Sequence, residues 1–236
     1  MTVIEAEPLI RWDWILDHKG LIWSKFLQHV ELTVLAVAIG LAISLPLAIY
    51  AHRHRKAYTP ITWVAGFLYT IPSLALFMIL IPLTHLSTTT AEIGLVSYTL
   101  LILIRNTVVG LSGVPEEVKE AAEGMGYTER QLLWRVELPL AMPAIIAGIR
   151  IATVSTIGLV TVAALIGYGG LGQFILGGLR LFFTTEILLG AVLSLVFALV
   201  ADALLLVAER ALTPWRHGGT PARGYIPFRK PDLIAR

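Results

Sequence analysis

Cysteine is absent from this 236-residue chain, which excludes disulfides and thiolate metal sites. Charge is scarce as well. Only 14% of residues are charged against 56% hydrophobic, and the mean hydropathy is +0.78, beyond what a soluble globular domain of this length carries. The formal net charge is +2, with no basic run that would mark a nucleic-acid partner. No Gly-x-x-x-x-Gly-Lys-Ser/Thr stretch occurs, so the chain holds no phosphate-cradling loop of its own. The histidines at 18, 29, 52, 54, 85 and 217 do not combine with carboxylates at metal-ligand spacing, and His52-x-His54 lies among basic residues that disfavour a cation. Neither a metal, a cofactor nor a catalytic cluster is expected.

What the chain has is apolar length. Crossing about 30 Å of hydrocarbon at 1.5 Å per residue takes roughly 20 residues, and residues 32–51, 93–111, 140–168 and 187–208 supply four such runs. A fifth, 60–83, is interrupted by Pro72, which removes a backbone donor and kinks a helix. It reads as one broken span, giving five crossings, or six if its halves cross separately. Residues 12–28 mix Trp12, Trp14, Trp23 and Phe26 with Asp13, Asp17, Lys19 and Lys25. That pattern suits an interfacial helix, or equally the start of the first span. The acidic N-terminus, with Glu5 and Glu7, does not read as a cleavable signal. The organisation expected is a segment 1–28 at the membrane surface, a membrane domain 29–211 and a basic tail 212–236.

Placement of Lys and Arg sets orientation, since short loops inside the cell are enriched in both. Arg53, Arg55 and Lys56 follow the first span with no acid among them, residues 84–91 carry neither Lys nor Arg, and 113–139 carry Lys119, Arg130 and Arg135. The loop 113–139 and the C-terminus are therefore expected in the cytoplasm and the N-terminus outside.

The loop 113–139 is the one sizeable polar stretch between spans, and it writes out two short helices. Pro115 suits a first helical turn, Glu116 and Glu117 complement the positive end of the helix dipole, and Gly124 or Gly126 supplies a left-handed stop. Thr128 with Gln131 forms a capping box for a second helix through Leu132, Leu133, Trp134 and Val136, which Pro139 closes. The loop is either a solvated hairpin between spans or a docking surface. The apolar stripe of Leu132, Leu133 and Val136 favours docking, because it must bury against something.

Glu120-Ala121-Ala122, then Gly126 after three residues, Val136 after nine and Leu138-Pro139 after one, resembles the EAA loop of bacterial ABC-importer permeases, with Val136 where isoleucine is common. Tyr69-Thr-Ile-Pro-Ser-Leu-Ala-Leu-Phe77 and Ile104-Arg-Asn-Thr107 resemble the osmoprotectant branch, the permeases for glycine betaine, carnitine and choline. The segment 164–172, glycine-rich, fits that branch and is also similar to methionine importers. The resemblance covers about residues 30–210. It implies an all-α integral membrane fold, the type I permease core of a bacterial plasma (inner) membrane importer. Cytoplasmic ATP-binding subunits, a second permease copy or a sibling permease, and an extracellular or periplasmic substrate-binding protein would be its partners. It also implies that Glu120, Ala121, Ala122, Gly126, Leu138 and Pro139 couple the chain to the ATPase.

Candidates along the solute path are Tyr69, Pro72, Ser73, Phe77, Asn106 and Thr107. Quaternary ammonium groups are held by aromatic faces through cation–π attraction, for which Tyr69, Phe77 and Tyr98 qualify, although scattered aromatics also serve as interface anchors. Gly169, Gly170 and Gly172 are candidates for an external gate; glycine equally permits a flexible loop or close helix packing. Among ionisable residues within the spans, which are costly in lipid, Arg105 reads as structural, paired with a carboxylate or a helix end. Arg150 lies roughly 16 Å along a helix from Pro139 and faces protein, and Asp202 is available to pair with either. A methionine-type or phosphonate-type importer, an ATP-independent channel or secondary transporter, and a membrane enzyme are the other readings. A secondary transporter should show paired broken helices, and only one break is visible.

Overall fold

A computed structural model describes residues 9–217. The chain begins with a short helix α1, Trp12–Asp17, and then α2, Lys19–Arg53, 35 residues without a break. The apolar run 32–51 lies inside α2, and residues 19–28 are helically continuous with it. At 1.5 Å per residue α2 is about 52 Å long, well beyond the hydrocarbon thickness.

Helices α3, Arg55–Thr70, and α4, Ser73–Thr84, follow, bent by 96° at Ile71-Pro72. The proline ring clashes with a helical residue before it, and Ile71 is extended at φ −65°, ψ 128°. The two pieces, 16 and 12 residues, reach only roughly 24 and 18 Å, too short to cross separately. Counted as one span, the bent pair brings the four long apolar helices among the described residues to five at most; the six-span alternative finds no support.

Helix α5, Thr88–Ser112, starts at a Ser87 cap whose hydroxyl accepts from the Thr90 N–H at 3.2 Å. The polar loop then forms α6, Glu116–Gly124, and α7, Glu129–Leu132, the latter closed by the expected Thr128–Gln131 capping box. Pro139 does not end the second loop helix, contrary to expectation. The helix runs on through a π-helical turn, Leu133–Glu137, into α8, Leu138–Val162, and a 3-10 turn, Ala163–Ile166. In the π turn the Leu138 N–H bonds five residues back to Leu133, so the register is already widened where Pro139 lacks a donor. Helices α9, Gly172–Leu181, α10, Thr184–Leu212, and α11, Pro214–His217, complete the described residues. The tail from 218 lies outside them.

Helices α2, α5 and α8 form the centre, α3 and α4 lean on α5, and α10 packs on α8 and α9. Two apolar clusters hold the ends. Leu111, Leu133, Leu138, Ala141 and Ile145 lie toward the loop, and Leu32, Phe77, Leu95, Val160 and Ile166 lie at the far end. Because lipid is as apolar as these side chains, their contribution is tight packing more than transfer out of solvent. The outer face of α10, with Val192, Leu195, Leu199 and Leu204 exposed, is what a lipid-facing helix requires.

Candidate functional site

The polar loop presents α6 as an outward ridge. Glu117, Glu120, Ala121, Glu123 and Gly124 are exposed, while Ala122 is buried at 2% exposure. Met125 bonds back to the Ala121 carbonyl at 3.1 Å and Tyr127 to Ala122 at 3.1 Å. Gly126 takes φ +83° and is the left-handed stop, a region that strains a residue with a β-carbon. Open space surrounds it. The Leu132 and Leu133 part of the predicted docking stripe is covered by the chain's own helices at 8% and 6% exposure. The loop's exposed apolar groups are instead Val118, Met125 and Trp134. Leu138 is buried and Pro139 half-buried, so these two root the loop in α8 while Glu120, Ala121 and Gly126 face outward.

Beneath the ridge lies a charged cluster. Glu137, the last residue of the π turn, is 7% exposed, and its Oε1 stands 3.6 Å from His52 Nε2 of α2 and 3.9 Å from Lys119 Nζ of α6. Lys119 is also tied to Glu116 at 3.1 Å, and His52 Nδ1 is 3.3 Å from the Ser112 hydroxyl at the end of α5. Arg53 donates to the Glu129 carbonyl at 3.1 Å. The basic residues after the first span and the polar loop therefore meet at one end of the bundle.

Midway along the bundle, the break at Pro72 opens a cavity of about 320 Å³ lined by Tyr69, Pro72 and Ser73, by Tyr98 and Ile102 of α5, and by Ser155 of α8 among others. The break frees the Ile71 carbonyl from helical pairing, and the Tyr98 hydroxyl donates to it. Tyr69 meets Tyr98 edge to face with centroids 5.7 Å apart. Tyr69 remains 42% exposed, so part of its ring is open to the cavity.

The other sequence candidates lie elsewhere. Phe77 is fully buried in the far-end cluster, where a side chain at Gly94 would collide with its ring. Asn106 donates to the Ile102 carbonyl at 2.8 Å and packs against Gly148 of α8. Thr107 is buried at 1% exposure, with no hydrogen-bond partner for its hydroxyl among the described residues. Gly169, Gly170 and Gly172 form a buried turn. Gly170, at φ +50°, lies against the backbone of His29, and Gly172 against Thr161. His29 fastens this turn to two spans: its Nδ1 accepts from the Leu171 N–H at 3.3 Å, which leaves Nε2 to donate to the Ile157 carbonyl at 3.1 Å.

Asp202 chooses Arg150 over Arg105, in a two-pronged contact with both bonds at 2.9 Å, and Arg150 also reaches Glu209 at 3.3 Å. Arg105 is exposed and forms no ion pair with a carboxylate among the described residues. Sequence reasoning missed Ser155 and Ile102 in the cavity, since nothing local marks which helix faces meet. It did not single out Glu137, counted Lys119 only as a charge and weighed His52 only as a metal ligand. A lone acid immediately before an apolar Leu-Pro junction was the available signal.

Residues 21–214 match the family described as binding-protein-dependent transport system inner membrane component. The chain is 38% identical over 195 residues to the choline transport system permease protein OpuBB of Bacillus subtilis, covering 83% of this chain and 90% of that protein. It is 38% identical over 206 residues to the osmoprotectant import permease protein OsmW of Salmonella typhimurium, covering 85% and 96%. Identity is 40% over 187 residues to the carnitine transport permease protein OpuCB of Listeria monocytogenes, covering 79% and 86%. Among solved structures, an inward-facing MetNI methionine ABC transporter superposes with a TM-score of 0.75 at 21% identity, covering 84% of this chain and 98% of that one. At that identity it speaks for the fold alone.

Proposed function

Because this chain belongs to the family of binding-protein-dependent transport system inner membrane components, we propose that it lines the path by which quaternary-amine osmoprotectants of the glycine betaine, carnitine and choline type are imported. It is a multi-pass membrane permease subunit, not an enzyme, and it works with an ATP-binding subunit and a substrate-binding protein. The observation that carries the solute class is the identity of 38 to 40% with choline, osmoprotectant and carnitine permeases across about four fifths of the chain.

In the arrangement proposed, the N-terminus is outside, and α6 faces the cytoplasm. Two permease chains, either two copies of this one or this one with a sibling, stand over two ATP-binding subunits. Glu120, Ala121 and Gly126 form the docking ridge, Ala122 seats it on the bundle, and Leu138 and Pro139 join it to α8. Closure of the nucleotide-bound dimer moves the ridge as a lever on that span. The cavity at Tyr69, Pro72, Ser73 and Tyr98 is the segment of the path this chain contributes, where a tyrosine face attracts a trimethylammonium group by about 0.5 to 2 kcal/mol. Asn106 and Thr107 lie just over two turns beyond Tyr98 along α5. Phe77 supports the wall of the path from behind. The turn at Gly169, Gly170 and Gly172, locked onto His29, is the proposed rim of the outer mouth.

Uptake of labelled glycine betaine, carnitine and choline by cells lacking only this chain, and by the same cells with it restored, tests the proposal with methionine as the control solute. Loss of quaternary-amine uptake alone, recovered on restoration, is expected. Loss of methionine uptake instead would overturn the solute class.

A further inference from the structure

We propose that Glu137 is the positioning residue through which displacement of α6 reaches α2 and α8, with Lys119 as its contact on the moving side and His52 as its contact on the membrane side. The inference rests on the reading that α6 is the ridge that docks on the ATP-binding subunit.

Helix α6 is nine residues long and buries one of them, Ala122, so apolar packing holds it to the bundle only weakly. It touches α7 and the π turn. A push on its exposed face therefore has three routes inward: backward along the chain through Gly113 into α5, forward through Gly126 into α7, and sideways from Lys119 to Glu137. The forward route passes a left-handed glycine with open space around it, a joint that bends more readily than it pushes. The sideways route ends on a carboxylate that is nearly sealed from solvent, where a charge contact is screened less than at the surface.

Glu137 is placed to distribute that push. It closes a π turn, a widened register that tolerates a shift of one residue more easily than a regular helix does, and Leu138 and Pro139 follow it directly into α8. The same Oε1 faces His52, the next-to-last residue of α2, and His52 in turn reaches Ser112 of α5. One side chain thus stands between the ridge and the ends of the three central helices. The 3.6 and 3.9 Å separations are longer than hydrogen bonds, so the carboxylate is shared between its partners and free to favour either as α6 moves.

The test uses the complete importer, purified with its ATP-binding subunits, reconstituted with its binding protein, and read as solute moved per ATP hydrolysed. Glu137→Gln and Lys119→Gln are each expected to lower that ratio by at least about fivefold, the lower end of typical coupling energies between sites. ATP-binding subunits should still co-purify in normal amount. The double variant should be no worse than the more severe single one, because both remove one contact. An unchanged ratio in the single variants, losses that multiply in the double variant, or loss of co-purifying ATP-binding subunits from Lys119→Gln would each overturn the proposal. Lys119→Gln keeps the test meaningful if Glu137→Gln fails to fold. Failure of the docking reading is told apart by Gly126→Asp: if that variant keeps full coupling, the ridge is not the docking element.

Discussion

Gly126 combines a left-handed backbone with unobstructed space, and the two properties predict different things. Backbone strain from a β-carbon there costs about 1–2 kcal/mol within the permease, whatever docks on it. Bulk and charge matter only against a partner. Gly126→Asp is therefore expected to leave the yield and thermal stability of the purified permease within a few degrees of wild type while uncoupling ATP hydrolysis from uptake in the assembled importer. Normal coupling in that variant would contradict a docked ridge. Phe77 and Tyr69 form a second contrast. Phe77→Ala empties a fully buried site and is expected to cost on the order of 3 kcal/mol, read as a lower unfolding midpoint in detergent with the apparent affinity for solute unchanged. Tyr69→Ala should do the reverse, weakening apparent affinity at unchanged midpoint. Both aromatics were legible as candidates from one stretch of sequence. Which of them faces the cavity was not, because seven residues and a 96° bend separate them, and the direction of each ring follows from that bend.

At the scale of elements, the four long spans were legible because lipid demands unbroken apolar length, and the break at Pro72 because a proline ring disfavours a helical conformation at the residue before it. The continuous helix through Pro139 was not legible. A proline after a short amphipathic helix reads as a stop, and only the π turn that absorbs its missing donor shows otherwise. The pairing of Asp202 was equally hidden, since helix rotation and not sequence distance selects Arg150. That pair joins α10 to α8, on a helix whose apolar surface is otherwise mostly turned outward. Asp202→Ala and Arg150→Ala are each expected to lower the unfolding midpoint of the permease, with the double variant less destabilised than the sum of the two. Strict additivity would mean that the contact does not hold α10 in place.

For the whole molecule, the basic segment after α2 and the polar loop share one end of the bundle, while the Gly169–Gly172 turn and α1 lie at the other. The orientation proposed from Lys and Arg placement is open to direct measurement, because the chain has no cysteine of its own. Met125→Cys, at an exposed loop position, is expected to react with a membrane-impermeant maleimide only in inverted vesicles. Phe182→Cys, 93% exposed at the far end, should react only from outside intact cells or spheroplasts. The opposite pattern would invert the topology and remove the loop from the ATPase side.

The most direct test of an ATP-driven osmoprotectant importer is accumulation of labelled glycine betaine in proteoliposomes that hold the assembled importer and its binding protein, with and without enclosed ATP. The account predicts accumulation above the external concentration that requires ATP and disappears when Gly126→Asp replaces the wild-type chain. Equilibration of betaine without ATP, or ATP-dependent accumulation of methionine in its place, would contradict it.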